Sequence, residues 1–352
     1  MAPLLEVRNL RVDFQTAEGP LRAVAGVSFT VQRGEVLAVV GESGSGKSAT
    51  ALALLGLNGG PATSIAGSAE FEGAELIGAP PERLRRVRGA QIAMIFQDPM
   101  SSLNPVQRIG NQIAEQIRAH RSVSKREALG RAEDALARAG MPRSNEQMRA
   151  YPHELSGGMR QRAMIAMAFS CSPSLLIADE PTTALDVTVQ AQILAELARL
   201  RAESGVAVLL VTHDLGVVAG LADRVLVMYA GEVVEQGTVQ QIFEDPQHPY
   251  TWGLLGSIAR IDGPRRARLP SIAGAPPSPL DQPSGCRFRA RCPHAFERCA
   301  EPVQLQARAR AAGSGGAAPH AWGPQASEQL DRCLLTPERK RALRVVDGEI
   351  GL

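Results

Sequence analysis

Apolar and polar residues alternate along Leu4–Phe14 and again along Ala25–Val31, the period of strands with one buried face. A long loop is expected between them. Val36–Val40 is apolar without interruption, as a strand covered on both faces should be. It runs into a glycine-rich segment, 41–48, and then into Ala49–Leu57, an apolar stretch that reads as a helix. From about Asn104 to Ala150 the chain turns charged, with Gln112–Arg121 and Lys125–Ala139 spaced as helices. Leu175–Ala178 and Ala207–Val211 read as further buried strands, with a helix over Thr188–Glu203 between them. Alternating strands and helices predict an α/β body with a mostly parallel sheet, carrying an inserted helical subdomain.

After Gly237 the pattern dissolves. Pro, Gly and Arg become frequent over Asp245–Pro283, four of the five cysteines follow, and Ala307–Gly323 is an Ala- and Gly-rich loop. No internal repeat is visible.

With 352 residues the chain can build a full core and two or three domains or subdomains. A net charge of +2 gives no field for nucleic acid or an anionic surface, and 4% aromatics argues against base stacking. No apolar run approaches the length of a membrane span. Met1–Leu10 lacks the basic and apolar regions of a signal peptide. A cytosolic location is expected, with reduced cysteines. Cys171, alone before an apolar strand, reads as an inert buried thiol.

Gly41-Glu42-Ser43-Gly44-Ser45-Gly46-Lys47-Ser48 matches G-x-x-x-x-G-K-[ST], the P-loop. A phosphate chain needs several N–H donors converging at close range, and glycines let the backbone curl around it. The following helix, from Ala49, aims its positive end at the same phosphates. Lys47 is expected on the β- and γ-phosphates of ATP and the Ser48 hydroxyl on Mg²⁺. The motif lies between a buried strand and a helix, the context it requires. Leu175-Leu176-Ile177-Ala178-Asp179-Glu180 is an apolar strand ending in two acids. Asp179 can hold Mg²⁺ directly or through water. Glu180 is placed to polarise the attacking water as general base. Strands often end in solvated carboxylates; the P-loop upstream makes the pair specific.

Leu155-Ser156-Gly157-Gly158-Met159 resembles the signature motif of ABC ATPases. Ser156, Gly157 and Gly158 would cap a helix and form a second phosphate cradle. Gln97, within Ile95-Phe96-Gln97-Asp98-Pro99, resembles the Q-loop; Ala184-Leu185-Asp186 resembles the D-loop; His213, within Val211-Thr212-His213-Asp214, resembles the switch histidine. A lone histidine or a Ser-Gly-Gly turn means little, but these motifs occur together and in family order. Met159 stands where glutamine is usual, so no polar role is carried to it. The resemblance implies a P-loop NTPase (RecA-like) ABC core. It spans 1–96 and 156–240, with a helical subdomain over 97–155 and a Cys-containing extension over 241–352. It further implies two ATPase subunits closing head to tail, with ATP between the P-loop of one and the signature of the other. Glu180 would activate water, His213 would contact the γ-phosphate, Asp186 would count among the nucleotide-binding residues, and Gln97 would link Mg²⁺ to a transmembrane partner. Phe14 would stack on adenine.

Asp245-Pro246-Gln247-His248-Pro249-Tyr250-Thr251, the Leu269–Pro277 segment and Gly285–Pro293 resemble the C-terminal extension of oligopeptide/dipeptide permease ATPases. With it the resemblance covers nearly the whole chain. It implies a peripheral subunit on the cytoplasmic face of the membrane. The implied partners are a second, different ATPase, two permease subunits and an extracytoplasmic binding protein. Cargo would be peptides; relatives import nickel, glutathione or other small ligands. Cys286, Cys292, Cys299 and Cys333, spaced by 5, 6 and 33 residues, fit neither a zinc CxxC pattern nor a common ferredoxin spacing. Four thiols in one reduced tail suggest a soft-metal site. The subfamily resemblance implies a [4Fe–4S] cluster; zinc and plain structural thiols stay open, and His294 is a spare ligand expected to face solvent. A soluble ABC ATPase acting on nucleic acid or ribosomes is the competing class. Such chains usually fuse two ATPase units or insert a long coiled coil, and this one does neither.

Overall fold

The structure, a computed structural model, describes residues 2–60, 62–183, 185–258, 271–307 and 328–346. Ala184, Leu269, Pro270 and nearly all of the Ala/Gly-rich loop lie outside these residues.

Strands β1 (Leu5–Thr16) and β2 (Gly19–Val31) form one hairpin. The long loop expected after Phe14 is therefore absent. Phe14 pairs with Leu21 inside the hairpin, and the chain reverses over Ala17–Glu18. The polar residues from Gln15 to Arg22 mask these strand ends in the sequence, because both faces near the tip are exposed. β3 (Val36–Val40) leads through the P-loop to α1 (Lys47–Leu54), and β4 (Thr63–Phe71) and β5 (Ala74–Glu75) complete an antiparallel sheet in the order β2-β1-β4-β5. After α2 (Pro81–Val87) and β6 (Ile92–Ile95) come the helices α3 (Pro99–Ser102), α4 (Ile109–His120), α5 (Lys125–Arg138) and α6 (Ser144–Gln147). Helix α7 (Gly157–Phe169) then returns to β7 (Leu175–Asp179), α8 (Val187–Ser204), β8 (Ala207–Thr212), α9 (Leu215–Leu221), β9 (Arg224–Tyr229) and β10 (Glu232–Thr238).

The second sheet runs β11-β12-β10-β9-β3-β8-β7-β6 among the described residues. Its β9-β3-β8-β7-β6 part is parallel. The Val- and Leu-rich strands β3, β7 and β9 are buried along their whole length, as a sheet covered on both faces requires. The tail is not merely attached. After α10 (Val239–Glu244) and α11 (Pro249–Gly256), it adds β11 (Gln306–Ala307) and β12 (Leu330–Asp331) to the edge of this sheet, ahead of α12 (Pro337–Val346). Tyr250 and Phe288 of the tail pack on Tyr229 at the end of β9, with ring centroids 4.6 and 5.3 Å away. In a chain with few aromatics, this cluster is where the tail grips the body; each such pair contributes about 0.5–1.5 kcal/mol beyond area burial. Cys171 is buried, as expected.

Candidate functional site

The loops that follow β3, β6, β7 and β8 meet at the carboxyl end of the parallel sheet, where open α/β sheets bind ligands. The segment after β3 is the P-loop. A Cβ at Gly41 would come within 2.2 Å of the Met228 carbonyl, and one at Gly46 within 2.4 Å of the Ala23 carbonyl. Both glycines also have positive φ, 153° and 98°, so only glycine fits. Around Gly44 the space is open, which leaves room for a phosphate to approach the backbone.

Lys47 is buried, and its ammonium donates to the carbonyls of Gly41 at 2.8 Å and Glu42 at 2.9 Å. Desolvation lowers its pKa, opposed by the carboxylates of Glu180, Asp179 and Glu42. The Ser48 hydroxyl donates to Asp179 Oδ1 at 3.0 Å. This places two oxygen donors side by side, a set that suits Mg²⁺. Ala49 continues α1, and its carbonyl accepts from Asn58 at 2.7 Å.

Glu180 is the hub. The Thr183 hydroxyl donates to its Oε2 at 2.8 Å and the Gln97 amide at 3.0 Å, while His213 Nδ1 lies 3.2 Å from Oε1. Burial raises the Glu180 carboxyl, but the bonds from Thr183 and His213 outweigh it and hold it below the usual value. Asp179 goes the other way, pushed up by desolvation more than the Ser48 bond lowers it. Glu180 has φ +46°, a left-handed conformation that costs of order 1–3 kcal/mol outside glycine and gathers at functional sites. Its N–H donates to the Val211 carbonyl at 2.8 Å, so the strand ladder fixes the peptide while the positive φ redirects the side chain.

Gln97, Asp179, Glu180 and His213 thus come together with Lys47 and Ser48. Ser156 and Asp186 do not join them. Ser156 caps α7, accepting from the Met159 N–H at 3.4 Å, and Asp186 caps α8, accepting from the Val189 N–H at 2.9 Å. Ser156 and Gly157 are exposed and Gly158 half-buried; their N–H groups open α7 toward solvent. Met159 packs against the core beneath the helical segment. Phe14 is half-buried against the core of the antiparallel sheet. Thr183 was not anticipated; its only signal is its place three residues after Glu180.

In the tail, Cys286, Cys292, Cys299 and Cys333 line one small pocket together with His248 and His294. No three His, Cys, Asp or Glu side chains among the described residues stand close enough to hold a metal ion. The metal site expected of the four cysteines is therefore not a compact one: among the described residues the thiols line one pocket without three of them converging on a point. Burial pushes Cys292 up to about 12 and Cys333 to about 11. His294, expected to face solvent, is half-buried, tilted against Trp252 with ring centroids 5.6 Å apart.

The comparisons agree with this geometry. The family model described as "ABC transporter" matches residues 24–183, and the one described as "Oligopeptide/dipeptide transporter, C-terminal region" matches 234–299. The chain is 52% identical over 307 residues to the oligopeptide transport ATP-binding protein of Salmonella typhimurium, covering 86% of this chain and 90% of that protein. It is 51% identical to the dipeptide transport ATP-binding protein of Lactococcus lactis, covering 82% of each. Among solved structures, the ATP-binding cassette MJ0796, dimeric and bound to ADP and Pi, matches with TM-score 0.60 and 26% identity over 67% of this chain and 98% of that one. The P-loop, the hub at Glu180 and these matches together make the chain a member of the oligopeptide/dipeptide branch of ABC-transporter ATP-binding proteins, an ATPase that powers transport.

Proposed function

We propose that this ATPase energises import of oligopeptides or dipeptides. The observation that carries the reading is the oligopeptide/dipeptide C-terminal region at 234–299, joined to an ABC cassette in relatives named for peptide transport. The same motor role for nickel, glutathione or another small ligand is the alternative, since cargo contacts belong to other subunits. No described helix is long and apolar enough to cross a membrane. The chain then works at the cytoplasmic face on two permease subunits, fed by an extracytoplasmic binding protein. The segment 97–155 faces the permeases, with Gln97 as the link.

In this reading the chain pairs head to tail with a second, different ATPase, and Ser156–Gly158 of each subunit complete the other's ATP site. Exposure of Ser156 and Gly157 at a helix N-terminus supports it. Asp186 counts among the nucleotide-binding residues, and Phe14 takes the adenine. Lys47 and the loop N–H groups hold the phosphates, Ser48 and Asp179 hold Mg²⁺, which offsets charge on the phosphates, and Glu180 orients the attacking water while His213 and Gln97 steady it.

A specific observation supports a second ligand. Four thiols lining one pocket are the donor set of a soft-metal site, and Cys₄ is the ligand set of an iron–sulfur cluster. Cys286, Cys292, Cys299 and Cys333 would hold a [4Fe–4S] cluster in a structural or redox-sensing role.

Cargo is tested by purifying the whole transporter with its binding protein and identifying the bound ligand by mass spectrometry. Peptides are the expected result. A bound metal chelate or glutathione, or co-purification with ribosomes instead of permeases, overturns peptide import.

A further inference from the structure

The second residue of the P-loop is gripped from outside the cassette. Arg291, in the C-terminal extension, donates Nη1 and Nη2 to the Glu42 carboxylate at 2.6 and 3.0 Å, a two-pronged pair. Its remaining donors go to the Tyr229 hydroxyl at 3.3 Å, the Ala273 carbonyl at 2.9 Å and the Ile272 carbonyl at 3.2 Å. All five guanidinium N–H groups are thereby used. The Arg291 side chain is 5% exposed and that of Glu42 28%. The Glu42 backbone N–H donates to the hydroxyl of Tyr250, a fully buried tail residue, at 2.8 Å. The Glu42 carbonyl accepts from Lys47. Every polar group of Glu42 is thus committed, two of them to the tail.

An acid at this position is a problem for a phosphate site. Glu42 stands five residues before Lys47, in the loop that must accept a triphosphate. An uncompensated carboxylate there repels the ligand across a partly desolvated gap, where charges act over several ångströms. Arg291 supplies the missing positive charge and, being planar and fully bonded, holds it in one place.

We propose that Arg291 is a positioning residue for the ATPase reaction, neutralising and fixing Glu42 so that the C-terminal extension sets the affinity of the P-loop for ATP. Arg291 plays this part whatever the cargo and whatever the cysteine cavity holds. It acts through Glu42 and touches no phosphate, so its effect falls on KM for ATP more than on kcat.

The test is a charge-swap cycle on the full-length ATPase within its transporter, reading KM and kcat for ATP with thermal unfolding as the folding control. Arg291→Gln should raise KM about tenfold or more, with kcat within about threefold. Adding Glu42→Gln should bring KM back to within about threefold of the unmodified protein, because the repelling charge goes with its partner. A purely structural Arg291 predicts no such recovery, so a double variant as weak as Arg291→Gln overturns the proposal, as does an unchanged KM in Arg291→Gln. If Arg291→Gln does not fold, Glu42→Gln alone decides: it leaves the Arg291 charge unpaired beside the loop and should lower KM, and an unchanged or raised KM overturns the proposal.

Discussion

The Gln97 side-chain amide donates to the Glu180 carboxylate at 3.0 Å, joining residues 83 positions apart. One end of this bond sits where the helical segment leaves β6, the other at the end of β7. The bond couples the start of the helical segment to the carboxylate proposed to activate water. Glu180 also takes Thr183 and His213, so three neighbours set its direction.

Glu180→Gln should keep ATP binding and stall turnover. The amide preserves shape and the Thr183 bond but loses basicity, at a cost on the order of 10²-fold or more in rate. Single-turnover hydrolysis in a dimer whose other site is already disabled reads this directly; near-normal turnover would remove Glu180 from its role.

Thr183→Ala tests the hub by a residue that the sequence did not announce. Losing a hydrogen bond to a charged group costs about 1.5–3 kcal/mol. Turnover should fall roughly tenfold or more with ATP affinity nearly unchanged. Equal losses in binding and turnover would mean that Thr183 shapes the site and does not orient Glu180.

Ser156→Arg should block closure of the dimer. The serine caps α7 and is exposed, so a long side chain fits the free subunit and fills only the cradle offered to a partner's phosphate. ATP binding by the subunit should persist while the transporter stops hydrolysing. Transport at the unmodified rate would rule out the shared site.

Lys340→Met should loosen the tail. The Lys340 ammonium meets Asp331 Oδ1 at 2.7 Å with both side chains fully buried. Removing the ammonium takes the ion-pair partner from a buried carboxylate that keeps the Cys333 N–H, typically at about 3–5 kcal/mol. Hydrogen exchange should rise in β12 and α12 before the rest of the sheet. Unchanged protection there would show that the pair carries no net stability.

The nucleotide site was legible because its chemistry forces residue types at fixed spacing. Gly41, Gly46, Lys47 and Ser48 each answer a local demand, and the buried strands β3, β7 and β8 announce themselves by uninterrupted apolar runs. What stayed hidden depends on distant pairing. Strand β12 holds only two residues and pairs with β10 across a long stretch of chain, so no period could reveal it. The positive φ of Glu180 has no glycine to mark it. Arg291 and Glu42, 249 positions apart, are two ordinary surface-type residues until the fold brings them together. Phe14 lies in a hairpin whose polar tip reads as a loop, and the packing of His294 beside Trp252 has no local sign in the sequence.

The cysteine cavity makes the riskiest expectation. Cys286, Cys292, Cys299 and Cys333 arrive from separated stretches of the tail, and Cys333 follows β12 near the sheet edge. A cluster bound by all four would tie the Pro-rich segment to the residues beyond the Ala/Gly loop, closing a loop that apolar burial alone would hold poorly. Phosphoryl transfer needs no electron carrier, so loss of the cluster should act on the tail and not on bond cleavage. Protein purified without oxygen should be brown and carry about four irons per chain, as the cluster formula requires. Cys292→Ser should lose the colour and raise hydrogen exchange around β12 while nucleotide binding survives, because Arg291 and its hold on Glu42 remain. Colourless oxygen-free protein, whether it carries one zinc per chain or no metal, would refute the cluster and leave the ATPase standing.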